Sequence, residues 1–348
     1  MDDGSDDGRG LQRLVTWRLP PGPHNAITDV PGVRVGHATV LDPARGVATG
    51  VSVVVPAGVE ERAVPAASHV INGYGKSTGL VQLDELGTLE SPIVFTSTFA
   101  VPAVQDALLR RRLASDADVG GRDGGRSVNL VVLECNDARF NDPREYRCGD
   151  GELALALGCA SGGAVEQGTV GAGTGMTTFG LSGGFGTASR EFGVGGSEYC
   201  LGVALVSNFG VWGDLTIGGQ LIQTTEPVDR QDSGDDPPDG SVVIVVATNA
   251  PFDSASLGRV CGRAQNGLAR TGCVTAHGSG ELVVAFSTEQ QSVREPHPEL
   301  LNAAFRAVAE CVEEAVLRGL VEARPVTGRE GRSLPVLRDL PVSAEIFD

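Results

Sequence analysis

From Ile27 onward, short apolar runs alternate with amphipathic stretches. Val33–Val40, Val51–Val55, Ile93–Thr96, Val128–Glu134, Cys200–Ser207, Val242–Thr248 and Leu282–Ser287 predict strands. Several of these runs are almost continuously apolar, the pattern of strands covered on both faces. A different spacing follows them. Leu257, Val260, Cys261, Ala264 and Leu268 fall on one helical face, with Asp253 placed to cap the N-terminus. Leu300, Leu301, Ala304, Val308, Cys311, Val312 and Ala315 mark a second helix opened by Pro298, and Pro102 opens a third that runs through Leu113. Two-faced strands beside one-sided helices predict an α/β protein in which helices pack in layers on sheet.

Three segments break the pattern. Residues 1–23 read as a loosely attached arm, and 115–126 as a solvated loop. Residues 229–240 hold five Asp and two Pro, so they predict an exposed, mobile linker that stops at Gly240 and feeds at once into the apolar run from Ser241. The remainder, 24–348, reads as a single domain, and no internal repeat interrupts it.

Composition narrows the functions. The 348 residues carry a formal charge of −17, which argues against a nucleic-acid partner because phosphate binding needs a basic face. Lys76 is the only lysine. The 49 glycines follow no three-residue period, so they imply tight turns and close backbone approaches within a folded chain. Seven cysteines without a CxxC pair indicate neither a disulfide framework nor a zinc ribbon, and fit a reduced compartment. The acidic start lacks the form of a signal peptide, and no apolar run is long enough for a membrane span. A cytoplasmic protein without membrane partners is expected. The five histidines show no metal-binding spacing.

Some motifs tempt and fail. Gly75-Lys76-Ser77-Thr78 resembles the end of a phosphate-binding loop, but the required first glycine is Val70. GAGTG at 171–175 lacks dinucleotide-site spacing. GxSxG occurs at Gly75–Gly79 and Gly180–Gly184 without the strand-turn-helix setting of a nucleophile elbow.

The Gly240–Ser241 bond offers a more specific chemistry. A serine with a free α-amine carries its own general base, because that amine titrates at about 7.7–8.0. Cleavage on its N-terminal side would create such a residue. The hydroxyl attacks the preceding carbonyl, and water opens the resulting ester. Glycine before the serine relieves crowding in that step. By itself the dipeptide is better read as a loop end entering a strand.

The surrounding motifs decide between these readings. GSVVIVVATNAP at 240–251, NGLARTG at 266–272 and HGSGELVVAFST at 277–288 closely resemble the β-chain of the DmpA-type L-aminopeptidase/D-esterase family, which includes the β-peptidyl aminopeptidases. NAITDVPGVRVGHAT at 25–39, HVINGYGKSTGLVQLDELGTLESPIVFTSTFAV at 69–101, GAGTGMTTFGLSGGFGTASR at 171–190 and NFG at 208–210 resemble its α-chain, in collinear order. The resemblance implies a four-layer αββα sandwich like the N-terminal-nucleophile hydrolases, but with different connectivity. It implies self-cleavage into 1–240 and 241–348, and a tetramer of the processed heterodimer, with no metal or organic cofactor. It also implies Ser241 as nucleophile, Ser279 and Glu281 as the groups that hold and tune its amine, and Asn208 as oxyanion donor. Glu134 would bind the substrate's free amine, with Asn136 as a second substrate contact. Asn249 departs from the family, where aspartate is common.

The expected activity is therefore removal of N-terminal residues from short peptides, amides or esters through an acyl-Ser241 intermediate. The same self-cleaving scaffold would also suit an endo-amidase or acyltransferase, and an unprocessed, non-catalytic homologue is the remaining alternative.

Overall fold

The computed structural model describes residues 9–121, 125–222 and 240–340. Two sheets lie face to face. The first has the order β1 (Val33–Asp42), β2 (Val47–Pro56), β5 (Ile93–Ser97), β6 (Val131–Cys135). The second runs β4 (Thr88–Leu89), β3 (Val64–Gly73), β14 (Gly280–Ser287), β13 (Ser241–Thr248), β10 (Ser197–Asn208), β9 (Phe185–Val194). Small hairpins β7/β8 (Thr177–Thr178, Leu181–Ser182) and β11/β12 (Thr216–Ile217, Gln220–Leu221) stand apart. The pairs β5–β6 and β13–β14 are parallel.

The apolar runs explain the layers. Along β13, Val243, Val245 and Ala247 point between the sheets, where they meet residues such as Ile93, Phe95 and Leu133. The intervening Val242, Ile244 and Val246 face a helix layer. That layer comprises α5 (Ser254–Cys261), α6 (Ala264–Arg270) and α7 (Pro298–Val321). On the other side, α3 (Val101–Ser115) and α4 (Asp150–Gly158) cover the first sheet through Val104, Leu108, Leu153 and Ala156. The architecture is thus the expected αββα sandwich. Shorter helices α1 (Arg9–Leu14) and α2 (Leu80–Leu86) complete it. Among the described residues no helix is long and apolar enough to cross a membrane.

All seven expected strands are present, while β3 and β9 were not foreseen. In β9 the buried positions include Thr187, Ser189 and Arg190, so polarity hides its pattern. Gly186 allows α7 to lie directly on it: a Cβ there would come 1.8 Å from the Ala315 carbonyl oxygen. The single helix expected around Leu257–Leu268 is two, α5 and α6, separated by a turn at Gly262 and Arg263. Glycine is costly inside a helix, and both halves still present the same apolar face. Asp253 caps α5 as expected, accepting from the Ser256 amide at 2.9 Å.

Several described residues of the N-terminal arm are held against the body. Leu11 and Val15 are buried, and the Arg18 and Leu19 amides each donate to the Glu310 carboxylate at 3.2 Å. That carboxylate is buried on α7 and needs donors, which the arm supplies. Residues 1–8 lie outside the described residues, as do 122–124 of the expected loop and 229–239 of the expected linker. All seven cysteines are free. Gly180–Gly184 covers the end of the turn and the second strand of the β7/β8 hairpin, and its Ser182 donates to the Leu334 carbonyl, so it forms no nucleophile elbow. His37 is a structural histidine: burial lowers its pKa to about 4, and Nδ1 lies 2.8 Å from Ser52 Oγ.

Candidate active site

Ser241 is the first residue of β13, a central strand of the larger sheet. Register places Asn208, the last residue of β10, on one side and Gly280, the first of β14, on the other. Three candidate positions thus sit at one end of the sheet because three strands begin or stop there. Ser241 is buried, and among the described residues its Oγ has no hydrogen-bond partner. The neutral Cys135 thiol, pushed far up by burial, lies beside it. A buried hydroxyl without a partner costs stability, so packing alone does not account for it.

The carbonyl before Ser241 is held on the opposite side. The Gly280 amide donates to Gly240 O at 3.1 Å. A Cβ at Gly240 would lie only 3.2 Å from both Ser279 Oγ and Phe209 Cβ, so the junction is tightly enclosed. Ser279 Oγ donates to Glu281 Oε1 at 3.0 Å, and Glu281 is fully buried with Oε2 unpartnered among the described residues. Cys273 also approaches Oε1, at 3.6 Å, and its thiol is raised to about 12 by burial first and by the Glu281 charge second. Asn72 steadies the loop before β14 by donating to the Ala276, His277 and Ser279 carbonyls.

Asn208 has a fixed orientation. Its Oδ1 accepts from the Thr177 amide at 2.9 Å, and its Nδ2 donates to the Asn136 carbonyl at 3.1 Å. An amide carries two N–H donors, so one remains for a developing oxyanion. Asn136 lines the same cavity, but its own Oδ1 is engaged by the Ala138 amide at 3.1 Å.

Glu134 comes from the other sheet, near the end of β6. It is buried, yet no cation pairs with it among the described residues. The Lys76 backbone amide donates to Oε1 at 2.7 Å, and the Thr98 hydroxyl donates to Oε2. These two donors orient the carboxylate and leave lone pairs free for an ammonium.

Ser241, Asn208, Glu134 and Asn136 line one cavity of about 500 Å³. Ser279 and Glu281 do not reach it; they line a smaller cavity of about 130 Å³ behind Gly240. Sequence reasoning missed Thr98, Thr177, Arg139 and Tyr74, all of which border the larger cavity. It set Lys76 aside with the failed phosphate-loop motif, and Lys76 borders the cavity too. Asp137 was also missed. It is buried just past the end of β6, accepting from Thr49 Oγ1 at 2.5 Å and Ser97 Oγ at 2.7 Å, and burial raises its pKa to about 6. Asn249 lies away from these groups, accepting from the Cys200 amide at 2.8 Å.

A double sheet between helix layers, with a serine at the head of a central strand, is the architecture of the N-terminal-nucleophile hydrolases and their variants. The L-aminopeptidase D-Ala-esterase/amidase of Ochrobactrum anthropi, described as a prototype of the serine aminopeptidases and a new variant of the Ntn hydrolase fold, matches with a TM-score of 0.84. Identity is 30% over 93% of this chain and 94% of that one. A β-aminopeptidase of Burkholderia sp. matches with a TM-score of 0.83 and 32% identity, over 97% of both chains. The β-peptidyl aminopeptidase BapA of Sphingosinicella microcystinivorans is 36% identical over 92% of this chain and 87% of its own length. The model of peptidase family S58 matches residues 25–334. The chain belongs to peptidase family S58 and is a hydrolase of its aminopeptidase type.

Proposed function

We propose that this aminopeptidase makes its own nucleophile by cutting between Gly240 and Ser241, and then removes N-terminal residues from short peptides, amides or esters through an acyl-Ser241 intermediate. The observation that carries this reading is the unpartnered, buried Ser241 hydroxyl beside a carbonyl already held by the Gly280 amide. In the first step Ser241 Oγ bonds to the Gly240 carbonyl carbon, the Gly280 amide stabilises the oxyanion, and the C–N bond breaks as the hydroxyl proton passes to nitrogen. Water then hydrolyses the ester and frees the Ser241 amine. Ser279 and Glu281 border the junction from behind and would hold that amine.

In the processed enzyme the amine takes the proton of its own hydroxyl during attack on the substrate. Glu134 receives the substrate's ammonium, and the Asn208 amide faces the oxyanion. Water releases the acyl group. The similarity to β-peptidyl aminopeptidases and to an L-aminopeptidase supports β-aminoacyl substrates alongside α-aminoacyl ones. A tetramer of processed heterodimers belongs to the same reading.

Mass spectrometry of purified protein tests it. Wild type is expected as two fragments divided before Ser241, and Ser241→Ala as one intact, inactive chain; an intact, active wild type overturns it. Free-amine aminoacyl p-nitroanilides, including β-homo and D residues, are expected to turn over, while N-acetylated ones are refused because Glu134 loses its partner. Turnover of the acetylated series would favour an endo-amidase, and aminolysis in preference to hydrolysis an acyltransferase. Failure of a serine-directed acylating reagent to label residue 241 would favour a non-catalytic homologue.

A further inference from the structure

Several chain segments meet at Asp137, two residues past the end of β6. Its Oδ1 accepts from Ser97 Oγ at 2.7 Å and its Oδ2 from Thr49 Oγ1 at 2.5 Å. Its own carbonyl accepts from the Phe140 and Asn141 amides, both at 2.9 Å. Gly175 approaches the same residue: a Cβ there would lie 3.1 Å from Asp137 Cβ and 2.2 Å from the Ala48 carbonyl oxygen. Burying a carboxyl costs stability, and filling the space alone would be served by an apolar side chain.

Three of these contacts lie one or two residues from a group that orients the candidate site. Ser97 ends β5 and is followed by Thr98, whose hydroxyl donates to Glu134 Oε2. Asn136 precedes Asp137, and its carbonyl accepts from Asn208 Nδ2 at 3.1 Å. Gly175 is followed, after Met176, by Thr177, whose amide donates to Asn208 Oδ1 at 2.9 Å. Both ends of the Asn208 amide and one oxygen of Glu134 are therefore held by segments that contain or touch Asp137. Thr49 is the exception. It lies in β2, which among the described residues gives no hydrogen bond to Glu134 or Asn208.

We propose that Asp137 is a positioning residue: by bracing Ser97, Asn136 and the Gly175 segment at once, it fixes Glu134 and Asn208 relative to each other. This rests on the roles proposed above for those two groups, as amine site and oxyanion donor, and adds what sets the span between them. Glu134 comes from the smaller sheet and Asn208 from the larger, so no single ladder of strand hydrogen bonds fixes their separation. Asp137 supplies that link. A span wrong by about 1 Å places the substrate's carbonyl away from its donor and costs up to about a hundredfold in rate.

Kinetics on a free-amine alanine p-nitroanilide, with the denaturant midpoint of each variant, test the proposal. Ser97→Ala removes the brace toward Glu134 alone, and is expected to raise KM about three- to tenfold with kcat within about twofold. Asp137→Ala removes it toward both groups, and is expected to raise KM and also lower kcat by about tenfold or more. Asp137→Asn keeps an acceptor for Ser97 and is expected to retain most of both. Thr49→Val releases the other oxygen, and is expected to lower the midpoint with KM and kcat within about twofold. A carboxyl with only a structural role would lower the midpoint in every case and move neither constant in the folded enzyme. That outcome overturns the proposal, as does an unchanged KM in Ser97→Ala. Should Asp137→Ala fail to fold or to be cut, Ser97→Ala and Thr49→Val decide by the same split. Glu134→Gln, measured in parallel, separates the two levels. If it leaves KM unchanged, the amine-site reading falls and the proposal with it; if it raises KM and Ser97→Ala does not, the role of Asp137 alone is overturned.

Discussion

Asp137, next in sequence to Asn136, is a buried carboxyl held by two hydroxyls. Burial outweighs the donors Thr49 and Ser97 in raising its pKa to about 6. The folded chain therefore holds this proton more tightly than the unfolded chain does between about pH 4 and 6. Proton uptake then favours folding, so the contribution of Asp137 to stability is fullest below that window and declines as pH rises through it. Asp137→Asn is expected to flatten that decline, which urea unfolding across pH 4–7 would measure; an unchanged pH profile would count against the assignment. At this scale the linear motifs singled out residues that the fold brings close, as with Gly240 beside Ser279 and the Ser279–Glu281 hydrogen bond. It was silent on the Gly280 amide and on Thr98, Thr177 and Asp137, because a backbone donor has no side-chain signature and a hydroxyl becomes specific only through its neighbours.

At the scale of elements, the legible strands were those whose residues are apolar on both faces, such as β13 with Val242–Val246. β9 was illegible for a physical reason: its buried side chains include Arg190, which pairs with Glu310 at 3.2 Å and Glu314 at 2.7 Å on α7. A strand stabilised by buried charge does not look apolar. The same contact makes a prediction. Gly186 faces the α7 backbone, where an added methyl would meet the Ala315 carbonyl oxygen at 1.8 Å. Backbone cannot yield as a side-chain tip does, so Gly186→Ala is expected to cost about 2 kcal/mol or more. The shift in denaturant midpoint would report it, and a change below about 0.5 kcal/mol would show that α7 moves freely.

For the whole molecule, the decisive feature is the order of strands in the larger sheet. Both strands contributed by residues 241–348, β13 and β14, lie inside it, between β10 and β3 from the preceding part of the chain. Cutting before Ser241 removes one covalent bond and none of these ladders. The two products are expected to coelute from a sizing column in native buffer and to separate only in denaturant, and residues 241–348 expressed alone should not fold, as circular dichroism would show. Long-range pairing of this kind was not readable from the sequence, since local patterning identifies strands without ordering them. The interleaving carries a genetic consequence as well. On the proposed reading, coexpressing residues 1–240 with a second polypeptide that opens Met-Ser241 is expected to give an active pair once the host removes the methionine; two inactive or non-associating polypeptides would count against it.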